Sequence, residues 1–369
     1  LKDGGSGDVV IPIHLATTFA RTKVDQPTAG YEYSRSGNPT RLALEKNIAS
    51  LENGKYGFAF SSGLAAITNV LLTLKKGDHI VSIDDVYGGT RRLFTRVFAD
   101  FGLEFTFAPF VTGKDIEAHI QPNTKLIWVE SPTNPLLKIV DIASVTKIAR
   151  TKEITTVIDN TFASPYFQKP LDLGCDVVLH SMTKYIGGHS DVVAGCIVVN
   201  DEALASKIKF LQNAAGAILS PFDSFSVLRG MKTLALRMEK HNENAQKVVA
   251  FLSQQKKVNK IYYPGLPTHP GYEIARKQMS GFGGMLSFEL VGDIQTGITF
   301  LESLRIISIA ESLGAVESLI EHPASMTHAS VPLADREKIG LSDTLIRLSV
   351  GIEDVDDLIT DISRALELV

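Results

Sequence analysis

Short segments that are apolar along their whole length alternate with helical segments between Tyr56 and Val199. The predicted strands are Tyr56–Phe60, His79–Ile83, Lys125–Glu130, Thr155–Ile158, Asp176–Leu179 and Gly195–Val199. A strand without a polar face is buried on both sides, as in a parallel sheet with a layer of helices on each face. The first half of the chain is therefore predicted to be an α/β domain with a mainly parallel sheet.

The pattern changes beyond about Phe222. A long helical stretch is predicted from Ser224 to about Gln255, and a final helix over Val355–Leu368. Strands are predicted between these helices at Met285–Leu290, Ile306–Ile309 and Leu345–Val350. Mixed elements of this kind predict a smaller α+β domain. We therefore divide the chain into an N-terminal arm (1–33), a large domain (34–228) and a small C-terminal domain (229–369).

Composition excludes several classes of protein. The 37 Lys and Arg residues are balanced by 41 Asp and Glu residues, which argues against a nucleic-acid partner. No apolar run approaches the roughly 20 residues that cross a bilayer. Two cysteines, Cys175 and Cys196, make no disulfide framework, and the spacing of His322 and His328 matches no common zinc motif. We expect a cytoplasmic protein without metal, membrane or nucleic-acid contacts.

Two charged residues stand out beside the apolar strands. Asp159 directly follows one predicted strand, either as a turn or helix cap or as a carboxylate that holds a protonated ligand nitrogen. Lys184 follows another in a polar, Gly-rich run between buried strands. A lysine in a loop is usually solvated, but a lysine in this setting can have a lowered pKa and act as a Schiff-base nucleophile.

A third segment suits an anion. Ser61-Ser62-Gly63 lies at a strand-to-helix turn, where backbone N–H groups and the helix dipole favour phosphate, although many α/β turns share this composition. A lysine, an acidic partner for a pyridinium nitrogen and a phosphate cradle are the groups that pyridoxal phosphate (PLP) requires.

Six motifs carry a resemblance to a known family. In chain order they are YEYSRSGNPT at 31–40, DDVYGGT at 84–90, ESPTNP at 130–135, VIDNTF at 157–162, SMTKYIGGHSD at 181–191 and LIRLSVGIED at 345–354. From about Pro12 to the C-terminus the chain resembles the PLP enzymes of cysteine and methionine metabolism. The resemblance implies an aminotransferase-like fold of type I and PLP as cofactor.

The resemblance also implies roles for individual residues. Lys184 would bond to the cofactor and move protons, Asp159 would hold the pyridine nitrogen, and Tyr87 would stack on the ring and donate a proton. The phosphate would be held by Gly63, Leu64, Ser181 and Thr183, and Thr161 would lie near the ring. Substrate contacts are implied for Arg347, Ser312, Asn134, Glu311 and Arg92. A structural salt bridge is the alternative role for Arg347.

Two positions bear on the reaction. Gly89 stands where methionine γ-lyases typically carry Cys, and Glu311 is placed to pair with the distal ammonium of cystathionine. Several runs, among them DVYGGT and YPGLPTHP, are most similar to cystathionine γ-lyases. The implied activity is γ-cleavage of cystathionine, with desulfuration of cysteine or homocysteine as a side activity. Cystathionine γ-synthase, cystathionine β-lyase and a non-catalytic binding protein remain alternatives.

The resemblance implies that the protein assembles. Tyr33 and Arg35 would reach from a neighbouring subunit to the cofactor phosphate, so that one chain alone would lack part of its site. The expected assembly is a homotetramer built from two active dimers, acting on small sulfur amino acids.

Overall fold

The computed structural model describes residues 7–326 and 340–369. Its strands are β1 (Arg21–Lys23), β2 (Gln26–Pro27), β3 (Tyr56–Phe60), β4 (His79–Ile83), β5 (Glu104–Ala108), β6 (Thr124–Glu130), β7 (Thr155–Asp159), β8 (Val177–Ser181), β9 (Gly195–Val199), β10 (Val258–Tyr262), β11 (Met285–Leu290), β12 (Ser308–Ile309), β13 (Leu319–Glu321) and β14 (Leu345–Ser349). The helices are α1 (Pro39–Leu51), α2 (Gly63–Leu71), α3 (Gly88–Leu93), α4 (Gly113–Glu117), α5 (Ile142–Thr151), α6 (Ser164–Phe167), α7 (Glu202–Ala215), α8 (Pro221–Met231), α9 (Leu234–Leu252), α10 (Tyr272–Gln278), α11 (Ile294–Ser303) and α12 (Val355–Glu367).

Seven strands form the larger sheet, in the order β3-β9-β8-β7-β6-β4-β5. Pairings from β5 through β8 are parallel, and only β9 runs antiparallel to its neighbours β8 and β3. The predicted mainly parallel sheet is therefore confirmed. Because the parallel strands share one direction, Glu130, Asp159 and Ser181 all end at the same edge, and β9 begins there with Gly195.

The smaller sheet has five strands in the order β10-β11-β14-β13-β12. Its pairings are antiparallel except for β12 with β13. It packs a separate apolar core with α9 and α12, in which Leu286, Phe288, Leu348 and Ile362 are almost fully buried. This sheet carries Arg347 on β14, next to Glu321 on β13.

The predicted continuous helix from Ser224 to Gln255 is wrong. The structure has two helices, α8 and α9, separated at Lys232 and Thr233. Thr233 leaves helical geometry at φ −111°, and its hydroxyl accepts a hydrogen bond from Arg237 Nε at 3.2 Å. The division of the chain at 228/229 falls within α8 and stays a prediction.

None of the helices in the described parts of the chain combines the length and apolar character needed to cross a bilayer. Within the same residues, no three His, Cys, Asp or Glu side chains are grouped so as to hold a metal ion. His322 bonds instead to Ser325 Oγ and to the carbonyl of Asp343. His328 lies outside the described residues.

Candidate active site

A cavity of ≈ 360 Å³ opens at the edge where the parallel strands of the large sheet end. Ligands of open α/β sheets bind at this edge, because the loops after the strands diverge there. The cavity brings together most of the predicted site residues, namely Gly63, Leu64, Tyr87, Asn134, Asp159, Thr161, Ser181, Thr183, Lys184, Glu311, Ser312 and Arg347.

Lys184 lies in the loop that follows β8, and its amine donates a hydrogen bond to Ser312 Oγ at 2.7 Å. The pKa of this amine is lowered to about 8, chiefly by burial and next by the positive charge of Arg347, against the opposing effects of Glu321 and Glu311. A lysine with such a pKa is still mostly protonated at neutral pH, but its neutral fraction is far larger than that of an ordinary lysine. Lys184 can therefore act as a nucleophile and as a proton carrier.

Asp159 is the last residue of β7 and faces the same cavity. Its Oδ1 accepts hydrogen bonds from the backbone N–H of Thr161 at 3.0 Å and from the Thr161 hydroxyl at 2.5 Å. Loss of water around the carboxyl group raises its pKa, while these bonds act in the opposite direction. A carboxylate in this position is strongly stabilised by a cationic partner, such as a protonated ring nitrogen.

Thr161 connects two strand ends as well as orienting Asp159. Its hydroxyl oxygen accepts a hydrogen bond from the backbone N–H of Ser181 at 2.9 Å. Thr161 therefore ties the end of β7 to the end of β8, and its position near a bound ring stays a prediction.

The N-terminus of α2 forms an anion cradle. Ser62 caps the helix, with its hydroxyl accepting the backbone N–H of Ala65 at 3.0 Å. A Cβ atom on Gly63 would lie 3.1 Å from Ser181 Cβ, and one on Gly195 would lie 2.1 Å from the Ser62 carbonyl. Glycine at these two positions lets the backbone approach closely enough for its N–H groups to reach a phosphate.

Tyr87 stands at the mouth of the cavity with 42% of its surface exposed. Its backbone N–H donates to both carboxylate oxygens of Glu130, at 3.1 and 3.0 Å. Partial burial raises the pKa of the Tyr87 hydroxyl, against a lowering effect of Arg92. The phenol therefore keeps its proton at neutral pH and presents a flat ring to the cavity.

Arg347 reaches the cavity from the small sheet and is 3% exposed. Its guanidinium donates to Asn134 Oδ1 at 2.9 Å and to the carbonyl of Ser312 at 2.8 Å, and pairs with Glu321 at 3.0 Å. The salt bridge considered for Arg347 is thus present, but the side chain also lines the cavity. A guanidinium held this rigidly is suited to a carboxylate ligand.

Three predicted residues lie away from the cavity in the single chain. Arg92 is exposed on α3 and does not line the cavity. Tyr33 and Arg35 lie in the N-terminal segment, where Arg35 donates to the carbonyl of Asn213 at 2.6 Å. The predicted contribution of Tyr33 and Arg35 to a neighbouring subunit's site stays a prediction.

Two acidic residues of the site were not predicted. Glu130 ends β6 directly beside Asp159 in the strand register, and burial together with Asp159 holds its pKa well above the ordinary value. The same signal that identified Asp159, a charge at the end of an apolar strand, was available for Glu130. Glu321 had no such signal, because it lies in a strand of only three residues.

The cavity suits PLP by the chemistry of its groups. Lys184 provides an amine for the aldehyde, Asp159 a carboxylate for the pyridine nitrogen, and the α2 N-terminus donors for the phosphate. The tight approaches at Gly63 and Gly195 define a cradle that any side chain would fill. These residues lie on β7, on α2 and in the loop after β8, and they converge because their strands end at one edge.

Comparisons with known proteins agree with this fit. A family model described as Cys/Met metabolism PLP-dependent enzyme matches residues 1–367. The chain is 54% identical over 365 residues to a cystathionine γ-lyase of Dictyostelium discoideum, covering 99% of this chain and 94% of that protein. It is 55% identical over 365 residues to a cystathionine β-lyase of Lactococcus lactis subsp. cremoris, covering 99% and 96%.

A solved structure is similarly close. The crystal structure of cystathionine γ-lyase from Lactobacillus plantarum complexed with L-serine matches with a TM-score of 0.97 and 52% sequence identity. The match covers 100% of this chain and 96% of that one. The relatives therefore agree on the fold and carry the names of two different cleavage reactions.

Proposed function

The chain belongs to the Cys/Met metabolism family of PLP-dependent enzymes, and from that premise we propose that it is a cystathionine γ-lyase. Family membership confirms the predicted fold class and cofactor, and makes the protein a PLP-dependent carbon–sulfur lyase. The proposed reaction converts L-cystathionine and water into cysteine, 2-oxobutyrate and ammonia. Desulfuration of cysteine or homocysteine is proposed as a side activity.

The observation that supports cystathionine as the substrate is the position of Glu311, whereas the choice of γ-cleavage rests on the similarity of runs such as DVYGGT and YPGLPTHP to cystathionine γ-lyases. This carboxylate lines the cavity, on the segment that also supplies Ser312. Cystathionine has an ammonium group at the end remote from the reacting carbons, and an acidic side chain at the cavity mouth offers it a partner. Cysteine and homocysteine each carry a single ammonium group, at the reacting end, so neither has a second one to pair with Glu311.

Bound PLP supplies an electron sink that stabilises negative charge on the substrate carbons. In the proposal, Asp159 holds the ring nitrogen, and the α2 N-terminus with Ser181 and Thr183 holds the phosphate. The ring of Tyr87 stacks on the cofactor. These contacts fix the orientation of the cofactor in the cavity.

Arg347 orients the substrate, together with the neighbouring Asn134 and Ser312. Their contacts hold the α-carboxylate so that the bond between the α-carbon and its hydrogen faces Lys184. The amine of Lys184 would remove the α-proton, release it to the bound cofactor and, neutral once more, remove a β-proton, which its lowered pKa favours. The protonated Tyr87 hydroxyl gives its proton to the departing sulfur. Arg92 is proposed as an outer contact of the substrate.

Product analysis with L-cystathionine tests the proposal directly. Cysteine with 2-oxobutyrate is expected, whereas homocysteine with pyruvate would identify a β-lyase, the alternative favoured by the name of the 55% identical Lactococcus relative. Absence of any cleavage, with cystathionine formed from cysteine and an activated homoserine, would identify a γ-synthase. Either of these results overturns the γ-lyase proposal.

The contribution of Glu311 is tested by Glu311→Gln. We expect the KM for cystathionine to rise about tenfold, as for the loss of one charge-assisted contact, while the KM for cysteine stays unchanged. The rise should shrink at high salt, because Glu311 is exposed. An equal rise for both substrates would assign Glu311 to a general role in the cavity.

A further inference from the structure

Three polar side chains are buried on one face of helix α9. Arg237 is 3% exposed, and His241 and Asn244 are fully buried. Their spacing of four and three residues puts them in one row along the helix. We call this row the α9 polar stripe. Burying three such groups is costly unless each is hydrogen-bonded, so their partners indicate what the stripe does.

The first end of the stripe binds the loop that follows β8 and carries Lys184. Arg237 donates to the carbonyls of Tyr185 at 2.6 Å and Gly230 at 3.0 Å. Tyr185 directly follows Lys184 in sequence. A Cβ on Gly188 would lie 2.1 Å from Arg237 Nη1, so the guanidinium is packed tightly against this loop. The loop is closed further by a bond from the backbone N–H of Gly188 to the Lys184 carbonyl at 2.8 Å.

The other end of the stripe holds the segment that follows β14. His241 Nδ1 lies 2.7 Å from the carbonyl of Val350. Asn244 Nδ2 donates to the carbonyls of Gly351 at 3.0 Å and Glu353 at 2.9 Å. Since a carbonyl only accepts, His241 carries its proton on Nδ1, and burial lowers its pKa to about 4, which keeps the ring neutral. Arg347 lies on β14, three residues before Val350.

The two ends are also in mutual contact. The ring of Tyr185 meets the ring of His241 edge-on, with centroids 5.1 Å apart. The backbone N–H of Val316, from the segment that carries Glu311 and Ser312, donates to the carbonyl of Gly188 at 3.0 Å. One rigid helix therefore touches both the backbone that carries Lys184 and the backbone that carries Arg347.

We propose that the α9 polar stripe is a positioning device that sets the placement of Arg347 relative to Lys184. The proposal rests on the proposed roles of these two residues, with Arg347 holding the substrate carboxylate and Lys184 moving protons. Neither His241 nor Asn244 lines the cavity, so both act through the segment after β14 that they hold. Small misplacements of substrate relative to a catalytic group cost large factors in rate.

The test uses holoenzyme variants in which one end of the stripe is released. His241→Phe keeps a ring against Tyr185 but removes the donor to Val350, and Asn244→Ala removes both donors to the following carbonyls. Glycine binding, followed by the visible absorbance of the cofactor, reports on α-carboxylate affinity. We expect the dissociation constant of glycine to rise about tenfold in each variant, with the cofactor absorbance before ligand addition unchanged. His241→Asn, which restores an amide donor, should recover most of the affinity.

Val249→Ala is the matched control for destabilisation. Val249 lies on the same helix, is 3% exposed and packs in the small apolar core away from the stripe. This variant should lower the melting temperature, as truncation of a buried side chain does, and leave glycine affinity unchanged. An equal loss of affinity in Val249→Ala, or unchanged affinity in both stripe variants, would show that the stripe has only a structural role.

A double-mutant comparison separates this proposal from the proposed function. In an Arg347→Met/Glu321→Gln background, which removes the buried ion pair as a unit, adding Asn244→Ala should weaken glycine binding no further. A further tenfold loss would overturn the proposed route through Arg347. Glycine shares its α-carboxylate with every amino-acid substrate, so these results hold even if product analysis identifies a β-lyase.

Discussion

Three charged residues of the cavity lie at or just beyond the ends of strands, and their surroundings shift their pKa values. Asp159 and Glu130 terminate strands of the large sheet, Lys184 lies three residues beyond the end of β8, and each has a displaced pKa. In each case burial is the largest cause, and neighbouring charges modify it. Burial and neighbouring charges of individual residues therefore determine the acid–base chemistry of the site.

The lowered pKa of Lys184 predicts the pH at which its amine becomes reactive. The protonated form dominates below about pH 8 and the neutral, nucleophilic form above it. In PLP-free protein, acetylation of Lys184 by acetic anhydride should therefore rise with pH and level off above about 8. Quantitative mass spectrometry of the labelled peptide measures this curve, with the exposed Lys76 as internal reference for the reagent.

A titration midpoint for Lys184 near the ordinary lysine value of about 10.4 would contradict the assigned environment. Arg347→Met/Glu321→Gln provides a control for the electrostatic contribution. Burial is the first cause of the shift and stays in this variant, whereas the opposing effects of Arg347 and Glu321 are both removed. The midpoint should accordingly remain below the ordinary value.

At the scale of elements, the strands of the large sheet were predictable where they are buried on both faces. β5 was missed because it lies at the edge of the sheet, paired only with β4, and its sequence EFTFA alternates instead of being continuously apolar. An edge strand keeps one solvated side, so it lacks the signal of a central strand. The break between α8 and α9 was missed for a different reason, since it depends on bonds between Arg237 and residues at the break.

The contact between β9 and the start of α2 gives a prediction at this scale. Gly195→Ala would push a Cβ into the Ser62 carbonyl and the Gly63 nitrogen, which lie 2.1 and 2.7 Å from its position. Both are backbone atoms, so the anion cradle itself must shift. We expect PLP binding to weaken about tenfold, in line with a cost of about 1–3 kcal/mol for overpacking. Titration of the PLP-free protein with PLP measures the effect.

Gly297→Ala is the matched control for this substitution. Gly297 lies in α11, and a Cβ there would come no closer than 3.6 Å to His322. This change should leave PLP affinity unaltered and favour the helix slightly, because alanine has the higher helix propensity. Equal PLP affinity in Gly195→Ala and wild type would refute the role of the close approach.

At the scale of the whole molecule, the described chain gathers the lysine, the carboxylate and the anion cradle, but leaves Tyr33 and Arg35 outside the cavity. We propose that these two residues complete the site of a neighbouring chain within a homotetramer. Thr18 bridges to Tyr33, and the exposed Arg35 donates a hydrogen bond to the carbonyl of Asn213. In the proposed assembly, Arg35 exchanges this bond for a phosphate held by a second subunit.

Subunit complementation tests this arrangement. Chains with Lys184→Ala and chains with Arg35→Ala should each be nearly inactive alone. After the two are unfolded, mixed and refolded together, half of the random dimers contain both chains, and one of their two sites has Lys184 and Arg35 intact. About a quarter of wild-type activity should therefore return. No recovery, or full activity of Arg35→Ala alone, would place the phosphate contacts within one chain.

The sequence alone was sufficient for six of the seven strands of the large sheet and for the positions of Lys184 and Asp159 at its edge. These features are local, because a continuously apolar strand followed by a charged or polar turn reports its burial within a few residues. The motif resemblance added the cofactor and the family, and with them the proposed roles of Arg347 and Glu311 as substrate contacts.

Tertiary structure alone decided which distant groups meet. Glu321 pairs with Arg347 because β13 and β14 are neighbours in the small sheet, and Glu130 holds the backbone of Tyr87 because β6 ends beside that loop. The α9 polar stripe is meaningful only when the carbonyls it binds are known. Strand order and the close approach of backbones result from the packing of the whole chain, and no short stretch of sequence encodes them.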